Sequence, residues 1–190
     1  LGKANCDLLK DSTGLPVIVF IHGITADRTS SLVLGEKAAF EGCFATVALD
    51  LPLHGVAPLT SNNNGEDIAN AALRFNVEQD SGDAMVTPFG TAAAGAGLTN
   101  IAERHFNIAQ HPSTNARVDM VFGADAESSL GKSGGLFINL ANMGRLRDNL
   151  RQAVMDNVHL IASLGAMDVD ADGSPDFDTD KVYLAGHSLG

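Results

Sequence analysis

A chain of 190 residues, 45% apolar and with 20 glycines, is long enough for one domain with a sizeable core. Its net charge of −11 argues against electrostatic binding to nucleic acid or anionic membrane, and no apolar run reaches membrane-spanning length. Leu1 is not an initiator Met and no signal-type apolar segment follows a basic start, so the N-terminus is expected to have been lost to processing or cloning.

Two cysteines, Cys6 and Cys43, lie in no metal-ligand or redox spacing. They are read either as one disulfide, worth about 4 kcal/mol on the chain-entropy model, or as two buried free thiols. The first predicted strand is Val17-Ile18-Val19-Phe20-Ile21, a β-branched run that ends in the turn residues His22-Gly23. Ser30 to Glu41 follows as a helix, with Leu34, Ala38 and Phe40 turned toward the sheet. Phe44 to Leu49 is the second strand, ending at Asp50 and the Pro52/Gly55 turn. Strand, helix and strand predict a right-handed crossover in an α/β layer.

Residues 58–135 differ in character and read as an insertion carrying a few short helices. They open on the turn signal Ser61-Asn62-Asn63-Asn64-Gly65 and contain the small-residue tract Thr91 to Gly97. Met85, Phe89, Leu98 and Phe106 are candidate apolar contacts of a lid or acyl-binding wall; a solvated elaboration is the other reading. Gly144 to Leu164 is the clearest helix. Its apolar stripe, Leu146, Leu150, Val154, Val158 and Ile161, is expected to pack on the sheet, and Gly165 is placed to end it.

Asp168, Asp170, Asp172 and Asp176, with Gly173 between them, have the spacing of a Ca²⁺ loop. The bidentate closing glutamate is replaced by Thr179, so an acidic surface turn is the competing reading. A structural Ca²⁺ is a candidate here; catalysis by the chemistry below requires no cofactor.

The third strand, Val182-Tyr183-Leu184-Ala185, runs into Gly186-His187-Ser188-Leu189-Gly190, a G-x-S-x-G pattern. After a strand, that pattern lifts a serine onto a tight turn as a nucleophile, and the glycines prevent collisions two residues to either side. Acyl transfer also needs two N–H groups aimed at the developing oxyanion. Leu189, directly after Ser188, is one expected donor. The loop His22-Gly23 after the first strand leads to the other, Ile24.

A second G-x-S-x-G, Gly131 to Gly135, follows no strand, and Ser133 is read as a loop residue. The same loop, Ala126 to Ser133, loosely fits a phosphate-loop pattern. Asp125 and Glu127 bring the wrong charge and Gly134-Gly135 weaken any following helix, so a chance match is the reading adopted. His54, His105, His111, His159 and His187 are expected to be structural or exposed. The base and acid of a triad are therefore expected after Gly190, and the chain is read as the front part of an enzyme that is inactive alone.

These residues resemble the front of an α/β-hydrolase, and more narrowly the bacterial extracellular lipases of the virulence-factor lipase and phospholipase A1 type. The resemblance rests on Val19 to Ile24, Ala48 to Gly55, Glu103-Arg104-His105-Phe106, Gly134 to Leu140, Arg147 to Gln152 and Gly186 to Gly190. It implies one α/β domain over residues 1–190 that ends at the nucleophile elbow with 58–135 inserted. It further implies lipid-ester hydrolysis through an acyl-enzyme on Ser188, and a secreted or surface location. Alternatives are a short-chain esterase, peptidase or acyltransferase on the same scaffold, a non-catalytic calcium-binding domain, and a nucleotide-binding protein. Oligomeric state is not legible.

Overall fold

The computed structural model describes residues 3–55, 104–111, 113–121 and 131–190. In chain order the elements are helix α1 (Lys3–Thr13), strand β1 (Leu15–Ile21), helix α2 (Ser31–Gly42), strands β2 (Ala45–Ala48), β3 (Ile108–Gln110) and β4 (Arg117–Asp119), helix α3 (Met143–Ser163) and strand β5 (Phe177–Gly186). Short 3₁₀ turns precede α2 at Arg28–Ser30 and follow α3 at Leu164–Ala166. Contacts divide the chain into two compact units: residues 1–23, 30–49 and 147–190, and residues 24–29 with 50–146.

The first unit is an α/β layer built on a three-stranded parallel sheet in the order β2-β1-β5. All three strands contain β-branched residues, which suit a pleated surface covered by helices. The middle strand, β1, is the most buried, and Val17 and Val19 are fully enclosed. They form one face with Ala45, Val47 and Val182, closed by Leu160, Ile161 and Leu164 from α3 and the turn after it. On the other face α2 approaches Thr46, where Gly35 leaves room for the threonine side chain. The β1–β5 register jumps between Pro16 and Val17, which pair with Asp178 and Val182 respectively, so Thr179 to Lys181 bulge out of the ladder.

Two expectations about helix faces are corrected. In α2, Leu34 and Ala38 are half-buried as expected, but Phe40 is turned to solvent. In α3 the inward face runs through Leu146, Asn149, Ala153, Leu160 and Ile161, not along Leu150, Val154 and Val158. Ala153 is buried whereas Val154 is 63% exposed. A small residue at the contact lets a helix lie close to its neighbour, and that rotation leaves three of the five stripe residues outside.

α1 carries no strong apolar stripe, and Leu8 is exposed. It is held covalently: Cys6 and Cys43 form a disulfide with a Cα–Cα separation of 5.3 Å. Cys43 ends α2 in the left-handed conformation, φ +55°, with its N–H donated to the Ala39 carbonyl. The Cys6→Ser, Cys43→Ser double variant is expected to lose about 4 kcal/mol of stability, read from urea unfolding of the oxidised parent and the variant.

In the second unit, the described part of the 58–135 stretch is an antiparallel hairpin, β3–β4, rather than short helices. Ala109 and Met120 pack together beneath Val118, and the turn closes through His111 and Ala116. Such short strands offer too few alternating positions to be recognised from periodicity. Phe106 is exposed; Met85, Phe89 and Leu98 lie outside the described residues.

Candidate functional site

The strand order brings the two acyl-transfer signals of the first unit side by side. β5 lies directly against β1, so its C-terminal end meets the His22-Gly23 corner. The His187 N–H still donates to the Ile21 carbonyl at 3.1 Å, extending the ladder by one residue. The chain then reverses, and the Gly190 N–H returns to the His187 carbonyl at 3.1 Å. Inside this turn Ser188 adopts φ +58° and is exposed. A side chain in the left-handed region costs about 1–2 kcal/mol, which packing around it must offset.

The glycines are explained by contact. A Cβ on Gly190 would collide with the Ile21 carbonyl oxygen, and one on Gly186 with the Gly190 carbonyl carbon. A Cβ on Gly23 would lie 2.9 Å from the Ser188 Cβ and 3.1 Å from the His187 carbonyl oxygen. Gly186 and Gly190 need glycine because backbone runs past them and cannot swing aside as a flexible side chain can, whereas at Gly23 it is the Ser188 Cβ that takes the space. Among the described residues, none accepts the Leu189 N–H, the state required of an oxyanion donor before substrate arrives. His22 is buried and its Nδ1 donates to the Gly23 carbonyl at 2.7 Å, which stiffens the corner. Ile24 opens the second unit, half-buried and followed by Thr25 at φ +63°.

No protein-family model matches this chain, and no curated protein and no solved structure matches it.

The second G-x-S-x-G is structurally different. Ser133 is buried, its Oγ donating to the Ala26 carbonyl at 2.9 Å and accepting the Gly55 N–H at 3.1 Å. Both capacities of the hydroxyl are spent on holding loops together. No helix begins at Ser133, so the phosphate-loop reading lacks its N-terminal amides; residues 126–130 of that pattern lie outside the described residues.

Several segments with no evident chemistry turn out to pack on one another in the second unit. Asp50 is buried, accepting the Arg28 backbone N–H and pairing with the Arg28 guanidinium, while Arg104 donates to its carbonyl. The His54 ring meets Phe137 edge-on at 5.1 Å, and the Gly134 N–H donates to the Leu53 carbonyl. His105 is likewise buried, accepting the Asn107 N–H. His111 accepts turn amides, whereas His159 and His187 are exposed.

The acidic loop holds a feature that no local pattern announces. Asp168, Asp170 and Asp176 each bring one carboxylate oxygen within 4.8 Å of the others; Asp172 is not in that group. The Lys10 ammonium, from α1, contacts Asp170, Asp172 at 3.2 Å and Asp176 at 3.3 Å. Asp168 is engaged by the backbone N–H groups of Asp172 and Gly173.

Hydrogen bonding to Asp170, with Asp172 and Asp176 adding to it, holds the Lys10 ammonium well above the ordinary lysine range. The Ser174 N–H, and then Lys10, hold Asp172 below the usual carboxylate range, and Lys181 does the same for Asp178. A carboxylate depressed in the folded state stabilises above its unfolded pKa, and that contribution is lost as pH falls through the folded value. A raised lysine stabilises fully below its unfolded pKa and loses that as pH rises through its folded one. Stability is therefore expected to be flat in these groups from about pH 5 to about pH 10 and to fall below about pH 4; a Tm profile against pH checks it.

Proposed function

We propose that this chain carries the nucleophile of a serine carboxylic ester hydrolase acting on lipid esters. One observation carries the reading: a serine at φ +58° on a glycine-flanked turn at the end of a parallel strand, against a His-Gly corner. The Ser188 Oγ attacks the acyl carbonyl carbon, its proton passing to a base while the carbonyl oxygen becomes an oxyanion facing the Leu189 N–H. Ile24, next in the chain after the corner, is the second donor in this reading. Collapse of the intermediate expels the alcohol, protonated by the same base, and leaves an acyl-serine that water then cleaves.

On this scaffold the acid and histidine follow the serine in the chain. Uncovered apolar surface supports placing them beyond Gly190. Among the described residues β5 is at the edge of the sheet, and its neighbours Tyr183 and Leu184, which point to opposite faces, are 51% and 66% exposed. Leu184 shares the face of Val19, on which α3 leaves Val154 and Val158 exposed. A right-handed crossover to a further strand beyond β5 would lay its helix on this same face. The Cys6–Cys43 disulfide supports an oxidising, extracytoplasmic location. Among the described residues, no helix is long and apolar enough to cross a membrane.

The test is covalent. In a chain extended past Gly190, a fluorophosphonate probe is expected to add its mass to the peptide containing Ser188. Labelling elsewhere, or none in an extended chain that is folded, would defeat the assignment. A panel of short and long acyl esters, amides and acceptor alcohols separates lipase from esterase, peptidase and acyltransferase.

A further inference from the structure

We propose that Lys10 is the resident cation of the acidic loop at residues 168–176: its ammonium occupies the cradle, and thereby clasps α1 to the start of β5. The loop has the carboxylate spacing of a metal site, and three of its carboxylates bring oxygens within 4.8 Å of one another. Four carboxylates gathered in nine residues repel one another, and Asp176 is only 4% exposed. A buried carboxylate without a counter-charge is strongly unfavourable. Lys10 supplies that charge from 166 residues away, touching three of the four aspartates.

The surrounding backbone makes the clasp part of the fold rather than a surface ion pair. Asp176 accepts the Val169 N–H through one oxygen and faces Lys10 with the other. Its backbone carbonyl accepts the Leu15 N–H at 2.7 Å, tying the end of the loop to the first residue of β1. On α1, Lys10 lies four residues after Cys6, so disulfide and ammonium leave from the same side of the helix. One side of α1 is thus fastened twice, covalently to the end of α2 and electrostatically to the loop before β5.

If the ammonium stands in for a metal, removing it should expose a divalent-cation requirement. Lys10→Met keeps an unbranched side chain, shorter by one atom, and deletes its charge. The wild-type Tm is expected to be the same in chelator and in about 10 mM Ca²⁺. Lys10→Met should melt lower than wild type in chelator and rise by at least about 3 °C in that calcium, the response of a site with millimolar or tighter affinity. A wild-type Tm that rises with calcium, or a folded Lys10→Met chain that calcium leaves unmoved, overturns the proposal. Should Lys10→Met be unfolded in chelator, its refolding by calcium is the same positive result. Failure to refold in calcium, while Lys10→Arg folds without it, overturns the proposal.

Discussion

On the proposed reading, Ser188→Ala, in a longer chain that supplies the base, is expected to lower kcat on a short acyl ester by at least about 10³-fold and to leave KM within a few-fold. Loss of the Oγ removes the acyl-enzyme itself, so the two-step route is closed and only slow direct attack by water remains. Substrate binding and the Leu189 N–H are untouched by the change, which is why the effect should fall on kcat. The control is Ser133→Ala. That hydroxyl bridges Ala26 and Gly55 in the second unit, so its loss should lower stability and leave kcat of the folded fraction nearly unchanged. The opposite pattern, activity lost with Ser133 and kept without Ser188, would transfer the nucleophile to the other pentapeptide.

The contrast between the two serines explains what was legible. Both sit in the same pattern, and what separates them in the sequence is the run before them: an apolar, strand-like run leads to Ser188 and none leads to Ser133. A strand is visible because its apolar run is local, and so β1, β2 and the core of β5 could be read within a few residues. The parallel sense of the three strands follows from their apolar runs, but the placing of β5 directly beside β1 does not, and it is what sets Gly23 against Ser188.

What was missed has a common cause in contacts between distant residues. Lys10 sits in a mostly polar helix, and its meaning comes from carboxylates that share no local pattern with it. The face of α3 was misjudged because apolarity alone favours Val154 and Val158, while packing prefers the smaller Ala153. Apolar character left outside an element is itself information: the strongest part of the predicted stripe marks surface that this chain does not cover.

The elbow also makes a stability prediction that needs no substrate and no extension. Gly190→Ala places a methyl group where the Ile21 carbonyl oxygen already is, at the point where the turn folds back on β1. The end of the turn can yield only by giving up the Gly190 N–H bond to the His187 carbonyl, so a loss of about 1–3 kcal/mol is expected from urea unfolding. Ser188→Gly should do the reverse. Glycine adopts φ +58° freely, and relief of that conformation outweighs its extra unfolded-state entropy, for a gain of up to about 1 kcal/mol. A serine that destabilises its own turn, flanked by glycines that cannot be replaced, is the arrangement expected where a reactive hydroxyl is held out for chemistry rather than for packing. Equal, small effects from both substitutions would mean that the turn is relaxed and that its serine is an ordinary surface residue.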